Sequence, residues 1–118
     1  MLTKDQVGRE GEQRAQRWLR QVGMVILDTN WRCRVGELDI VARDGSELVF
    51  VEVKTRTSTA YGHPAEAVTP AKLARIRGLA ALWLREHDEH AEQVRIDVVA
   101  ILLVGGTRVR LEHLRGVG

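Results

Sequence analysis

Residues 36–54 constrain this chain more tightly than any other stretch. They read as two alternating runs, Glu37 to Arg43 and Glu47 to Lys54, around Asp44-Gly45. Asp-Gly between such runs is a hairpin-turn signal. Successive side chains on a strand point to opposite faces. Leu38, Ile40 and Ala42 therefore share one face of the first strand, and Glu37, Asp39 and Val41 the other. In the second strand Leu48, Phe50, Glu52 and Lys54 share a face, opposite Val49, Val51 and Val53. A two-residue Asp44-Gly45 loop pairs Arg43 with Ser46. It sets Asp39 opposite Phe50 and diagonal to Glu52, with Glu37 straight across from Glu52. A loop one residue longer turns Asp39 to the other face, so an even register is the condition for an acidic site.

Two carboxylates about 4 Å apart repel by roughly 4 kcal/mol at an effective dielectric of about 20. A divalent cation removes that cost and becomes the strongest local charge. Acid, acid and lysine around a hard metal is equipment for hydrolysing a phosphodiester. The residues alone leave a plainer reading open: a solvated face on an antiparallel strand, with Glu52 and Lys54 as an ordinary surface pair. Against it, the charged face continues from Leu48 and Phe50, and like charges across a ladder destabilise it.

The remainder of the chain supplies a scaffold. Thr3 with Gln6 forms a capping box for a helix from Lys4 to Val22, stopped by Gly23. Its buried stripe is Val7, Gly11, Ala15, Trp18, Leu19 and Val22, with Glu12 at the edge. Met24 to Asp28, extending toward Cys33, forms a strand before the hairpin. Thr55 to His63 reads as a polar loop in which Tyr61 is placed to touch a substrate. Thr69-Pro70 opens a second helix that continues to about His87, with Lys72 and Arg75 along one edge. Arg95 to Leu103 is a near-continuous apolar strand of the kind buried on both faces. Gly105-Gly106 leads to a last short strand, Thr107 to Leu111. The order is αβββαββ: an α/β fold with a mixed sheet flanked by helices. His87-Asp88-Glu89-His90 reads as a helix end, where the dipole favours histidine. His63 and His113 are isolated, and Asp97 reads as a strand-end or buried hydrogen-bonded residue.

A chain of 118 residues, 44% hydrophobic, suits one domain over residues 1–118. No apolar run nears the roughly 18 residues of a membrane span, and no signal-peptide core follows Thr3-Lys4-Asp5. The one cysteine, Cys33, excludes an internal disulfide and suits a reducing compartment; it reads as a strand filler. A cytoplasmic protein with no membrane association is expected. No glycine-rich phosphate loop is present, so no nucleotide cofactor is expected, and no Ser-His-Asp set occurs. Net charge is only +2, yet fifteen of the eighteen basic residues are arginine. Guanidinium grips phosphate bidentately, although a GC-rich genome or a thermophilic source gives the same bias. Arg32, Arg34 and Arg56 flank the acidic cluster, where a phosphate-tracking rim is useful.

Asp39 followed by Glu52-Val53-Lys54 on the next strand resembles the PD-(D/E)xK nuclease signature, with Leu38 where that pattern often has proline. The wider string is more specific: Gly8-x-x-Gly11-Glu12-x-x-Ala15, Asn30-Trp31-Arg32, Gly36 to Ala42, Val49 to Lys54 with Arg56, Gly62-x-Pro64 and Lys72. From about Gly8 to about Ala100 the chain resembles the YraN family, also called UPF0102, small bacterial proteins similar to archaeal Holliday junction resolvases. The tail from Leu111 to Gly118 departs from the aromatic ending expected of that family.

The resemblance implies a restriction-endonuclease-like sheet and a metal-dependent DNA endonuclease, acting on branched DNA or Holliday junctions. In that scheme Asp39 and Glu52 bind Mg²⁺ or Mn²⁺, with the Val53 carbonyl as a further ligand. Glu12 completes the site or helps hold a second ion, and Glu37 is a ligand or an outer carboxylate. Lys54 orients the attacking water or stabilises charge on the phosphorane. By their placement Arg32, Arg34, Arg56, Tyr61, Lys72 and Arg75 are the candidate DNA contacts, with a solvated face the equal alternative for Lys72 and Arg75. A homodimer is implied because a four-way junction is two-fold symmetric. The competing class is a non-catalytic DNA-binding module that retains the nuclease fold.

Overall fold

The computed structural model describes residues 2–58, 68–104 and 108–118. Among the described residues seven elements follow in the expected order: α1 (Lys4–Gln21), β1 (Val25–Cys33), β2 (Gly36–Asp44), β3 (Glu47–Arg56), α2 (Pro70–His87), β4 (Gln93–Val104) and β5 (Arg108–Leu114). The strands form one five-stranded sheet in sequence order. All neighbours are antiparallel except β3 and β4, which run parallel because α2 lies between them in the chain. The last strand reaches Leu114, beyond the Leu111 expected from the sequence. Thr55 and Arg56 extend β3 and do not open a loop.

Both helices start where their caps dictate. Thr3 and Gln6 make the reciprocal capping box, and Thr69 accepts from the Lys72 N–H with Pro70 in the first turn. α2 stops at Asp88, which adopts the left-handed conformation with φ of 49°.

The helices cover opposite faces of the sheet. Ala15 and Leu19 of α1 pack with Met24, Ile40, Ala42, Val49, Val51, Val99 and Ile101. Ile76, Leu79, Ala80 and Trp83 of α2 pack with Leu38, Val41, Leu48, Phe50 and Ile96. The Trp83 ring meets Phe50 edge-on, with centroids 5.9 Å apart. Each fully buried aliphatic or aromatic side chain contributes roughly 1.5–3 kcal/mol, so burial on two sides of one sheet dominates the stability. Cys33 is partly buried against the α2 cluster, as a strand filler should be.

The hairpin is even in register but shifted. Asp44 pairs with Glu47, Arg43 with Leu48 and Val41 with Phe50. The expected pairs, Arg43 with Ser46 and Asp39 with Phe50, do not form. The loop is Gly45-Ser46, and Gly45 takes the positive φ of 62° that the turn requires. Direct opposition of Asp44 and Glu47 is tolerated because Arg95 on β4 donates to both, at 3.1 Å each. The two-residue displacement leaves every side chain on its expected face as far as Ile40.

At Asp39 the strand departs from strict alternation. Leu38 and Val41 pack under α2, while Ile40 and Ala42 pack under α1. A regular strand puts residues two apart on the same face, so β2 rotates between Leu38 and Ile40. Its neighbour β1 is irregular nearby: Asn30, between the pairs Thr29 with Ile40 and Trp31 with Leu38, has a φ of 52°, and the register shifts between Ile26 and Asp28. The register between β2 and β3 likewise runs only as far as Ile40 with Val51.

Candidate functional site

Asp39 occupies the gap that this break opens. Its Oδ2 accepts from the Val53 N–H at 2.8 Å, in place of a ladder bond. On β3, Glu52 and Lys54 project toward α2, and Lys54 Nζ lies 3.5 Å from Glu52 Oε1. Lys72, in the first turn of α2, brings its Nζ to 3.9 Å from the same oxygen. From the other face α1 brings Glu12. Gly11 sits so close to β3 that a Cβ there would overlap Thr55 Oγ1, which accounts for a glycine inside a helix.

Electrostatics single out Asp39. Burial, then the nearby Glu52 carboxylate, push its pKa up to about 7; the Val53 N–H pulls the other way, and Glu12 and Glu37 add smaller upward pushes. Desolvation and like charge, two of the three general causes of a shift, act together here. Among the described residues no three His, Cys, Asp or Glu side chains gather as a ready-made cage. The donor set is Asp39 and Glu52, with backbone and water to complete it. That set suits Mg²⁺, which binds through one or two carboxylates and keeps its remaining positions for water and phosphate.

The other residues singled out in the sequence are more dispersed. Glu37 is not across from Glu52. It pairs with Arg32 on β1, where Arg32 Nε donates to its Oε2 at 2.6 Å. The difference follows from the shifted register and the break at Asp39. Val53 contributes its N–H to Asp39. Arg56 turns back, Nη1 donating to the Thr55 carbonyl at 3.2 Å. Arg34 and Arg75 are exposed, Arg75 close enough to act on Lys72. Tyr61 lies outside the described residues, as does His63. Lys72, expected on a DNA-contacting helix edge, stands inside the acid cluster.

A second polar cluster was only half visible in the sequence. Asp97 is 0% exposed. It accepts from Arg95 Nε and Nη2 at 2.9 and 3.0 Å, from the Gly116 N–H at 3.0 Å and from His113 Nε2 at 2.7 Å. Trp18 Nε1 donates to His113 Nδ1 at 3.0 Å. Indole N–H is only a donor, so the His113 proton resides on Nε2. Burial alone would raise the Asp97 pKa, but Arg95, Gly116 and His113 outweigh it and hold the carboxyl below its usual range. Asp97 raises the Arg95 pKa in return. Far from isolated, His113 links α1 to β4. The available signal was Arg95 and Asp97 two apart in an apolar strand, hence on one face.

The helix-end cluster is structural too. His87 Nδ1 donates to the Trp83 carbonyl at 2.8 Å, its ring stacks on Trp83 at 4.2 Å, and Glu89 accepts from Arg43 at 2.9 Å. No helix among the described residues is long and apolar enough to cross a membrane.

Sequence comparison with known proteins points to one family. A family model described as "Uncharacterised protein family UPF0102" matches residues 11–101. A UPF0102 protein of Beutenbergia cavernae is 62% identical over 118 residues, covering all of both chains. One from Arthrobacter sp. strain FB24 is 56% identical, again over the full length of both. One from Frankia alni is 56% identical over 116 residues, 98% of this chain and 97% of the relative.

Proposed function

The chain belongs to the UPF0102 family, and we propose that it is a metal-dependent DNA endonuclease hydrolysing phosphodiester bonds, with branched DNA such as a Holliday junction as its substrate. The observation that carries this reading is Asp39. Its carboxylate is drawn into the sheet beside Glu52, its pKa is pushed up to about 7, and the nearby ammoniums of Lys54 and Lys72 pair with Glu52 instead. A purely structural carboxylate at that depth acquires a partner. Lys54, on the same side of β3 as Glu52, supplies the third member of the set.

In this reading Asp39 and Glu52 hold Mg²⁺ or Mn²⁺, with the Val53 carbonyl as a further ligand and Glu12 in support. The ion, when bound, supplies a Lewis acid for the phosphate and a water of lowered pKa. Asp39 is kept in place by the Val53 N–H. Lys54 orients the attacking water and answers charge on the phosphorane. Arg34, Arg56 and Arg75, with Arg32 beside Glu37, form a rim for phosphate tracking. The family resemblance implies a two-fold dimer, which would present two such sites to the two symmetric strands of a junction.

A non-catalytic DNA-binding module is the second reading, favoured by the lack of a three-ligand cage among the described residues. One experiment separates the two. Purified protein is incubated with Mg²⁺ or Mn²⁺ and labelled linear, flapped, single-stranded and four-way-junction DNA, beside Asp39→Asn and Lys54→Ala. Cleavage by the wild type that falls at least about 100-fold in both variants supports the nuclease. Tight binding without cleavage under either metal supports the module.

A further inference from the structure

Fifteen of the eighteen basic residues are arginine, which leaves Lys4, Lys54 and Lys72 as the lysines. Two of these converge on one oxygen: the Lys54 and Lys72 ammoniums lie 3.5 and 3.9 Å from Glu52 Oε1. They arrive from different elements, Lys54 along β3 and Lys72 from the first turn of α2. Lys72 also continues the inward stripe of its helix. At about 3.6 residues per turn it aligns with Ile76, Leu79 and Trp83, all of them buried. An aliphatic residue is the usual occupant of such a position. Lysine there, just past the end of the apolar cluster, carries a charge into the acid site.

Glu52 does not require both. One ammonium balances one carboxylate, and two at the same oxygen repel each other. Like charges kept together at a half-buried site mark a candidate functional site, and an arriving anion relieves them. An ammonium also fits where a guanidinium does not, since it is a compact point charge on a flexible stem.

We propose that Lys72 is a second catalytic lysine, which touches a non-bridging oxygen of the scissile phosphate from the helix side while Lys54 meets the phosphate from the strand. The proposal rests on the phosphodiesterase reading above. The water oxygen bonds to phosphorus as the bond from phosphorus to the leaving oxygen breaks. The water's proton passes to solvent, and the leaving oxygen takes one from solvent. Lys72 remains an ammonium throughout and answers the charge that grows on the non-bridging oxygen.

The test compares wild type with Lys72→Ala, Lys72→Gln and Lys72→Arg on the linear, flapped and four-way-junction DNAs, with Mg²⁺ or Mn²⁺. Once the cut is mapped, the scissile phosphate is replaced by each methylphosphonate diastereomer in turn. We expect Lys72→Ala and Lys72→Gln to lower kcat about 100-fold, with KM within about threefold and Tm unchanged. Lys72→Arg should not restore the rate. The penalty should nearly vanish on the one diastereomer that lacks the oxygen Lys72 meets. A loss confined to KM would make Lys72 part of the tracking rim and overturn the proposal. Equal losses on the phosphate and both methylphosphonates, or a lowered Tm in both neutral variants, would make it a support for Glu52 and overturn it as well. A wild type that cuts none of the DNAs sinks the phosphodiesterase reading itself. A wild type that cuts while the Lys72 variants keep pace sinks this inference alone.

Discussion

Asp39 and Asp97 are both drawn into the same sheet, yet their protons are biased in opposite directions. Asp97, fully buried, is surrounded by four donated hydrogen bonds from Arg95, His113 and Gly116, and its pKa is held down. Asp39 retains more contact with water, receives one hydrogen bond among the described residues, faces other carboxylates, and has its pKa pushed up to about 7. Depth therefore does not decide the outcome; the partners do. The Asp97 neighbourhood is closed within the chain, whereas Asp39 faces carboxylates and the nearby ammoniums pair with Glu52.

Breaking the closed cluster should have the largest effect. Asp97→Ala removes two of the four hydrogen bonds of Arg95, leaving it to Asp44 and Glu47, and leaves His113 Nε2–H without its acceptor. Loss of one partner from a buried ion pair costs about 3–5 kcal/mol, so urea unfolding should show a drop of that order. A variant as stable as the wild type would mean the cluster contributes nothing, and the contrast with Asp39 would collapse.

Removing the charge at Asp39 should act in the opposite sense. Its folded pKa lies above the ordinary 3.8. The associated stability is therefore fully present below about pH 4 and is lost as pH rises through about 7. In metal-free buffer Asp39→Asn should be the more stable protein at pH 8, by about 1–3 kcal/mol once partial exposure is discounted. The two proteins should converge near pH 4. Urea midpoints across that range decide the matter, and parallel curves would count against a strained Asp39. Asp97 contributes in the reverse window: its stability is present above the ordinary carboxylate pKa and lost below it.

The sequence displayed more of the open site than of the closed one. Alternation put Glu52 and Lys54 on one face, and capping fixed both helices, because those rules act over a few residues. The hairpin offset was not legible locally. Arg95, 48 residues beyond Glu47, bridges the Asp44–Glu47 pair in the observed register. His113 looked isolated because its partners lie 16 and 95 residues away in the chain. The break at Asp39 was hidden for a related reason. Leu38 and Ile40 satisfy a regular strand pattern equally well, and only packing against two different helices separates them. Lys72 was visible as a residue on a helix edge, but its destination depended on how α2 lies across β3.

The smallest expected effects sharpen the account of Asp39 most. The carboxylates acting on it rank as Glu52, then Glu12, then Glu37. That order follows from geometry: Glu52 is a half-buried neighbour on β3, whereas the Glu37 carboxylate is engaged by Arg32. A charge already paired and close to water acts weakly at a distance. Substitution of each by glutamine removes its charge with little change of shape. The Asp39 titration, followed by carboxyl-carbon NMR, should therefore fall most in Glu52→Gln, less in Glu12→Gln and least in Glu37→Gln. If Glu37→Gln moved it most, the register that separates Glu37 from the site would be wrong. If none of the three moved it, burial alone would set the Asp39 proton, and the site would not be an acidic cluster awaiting a cation.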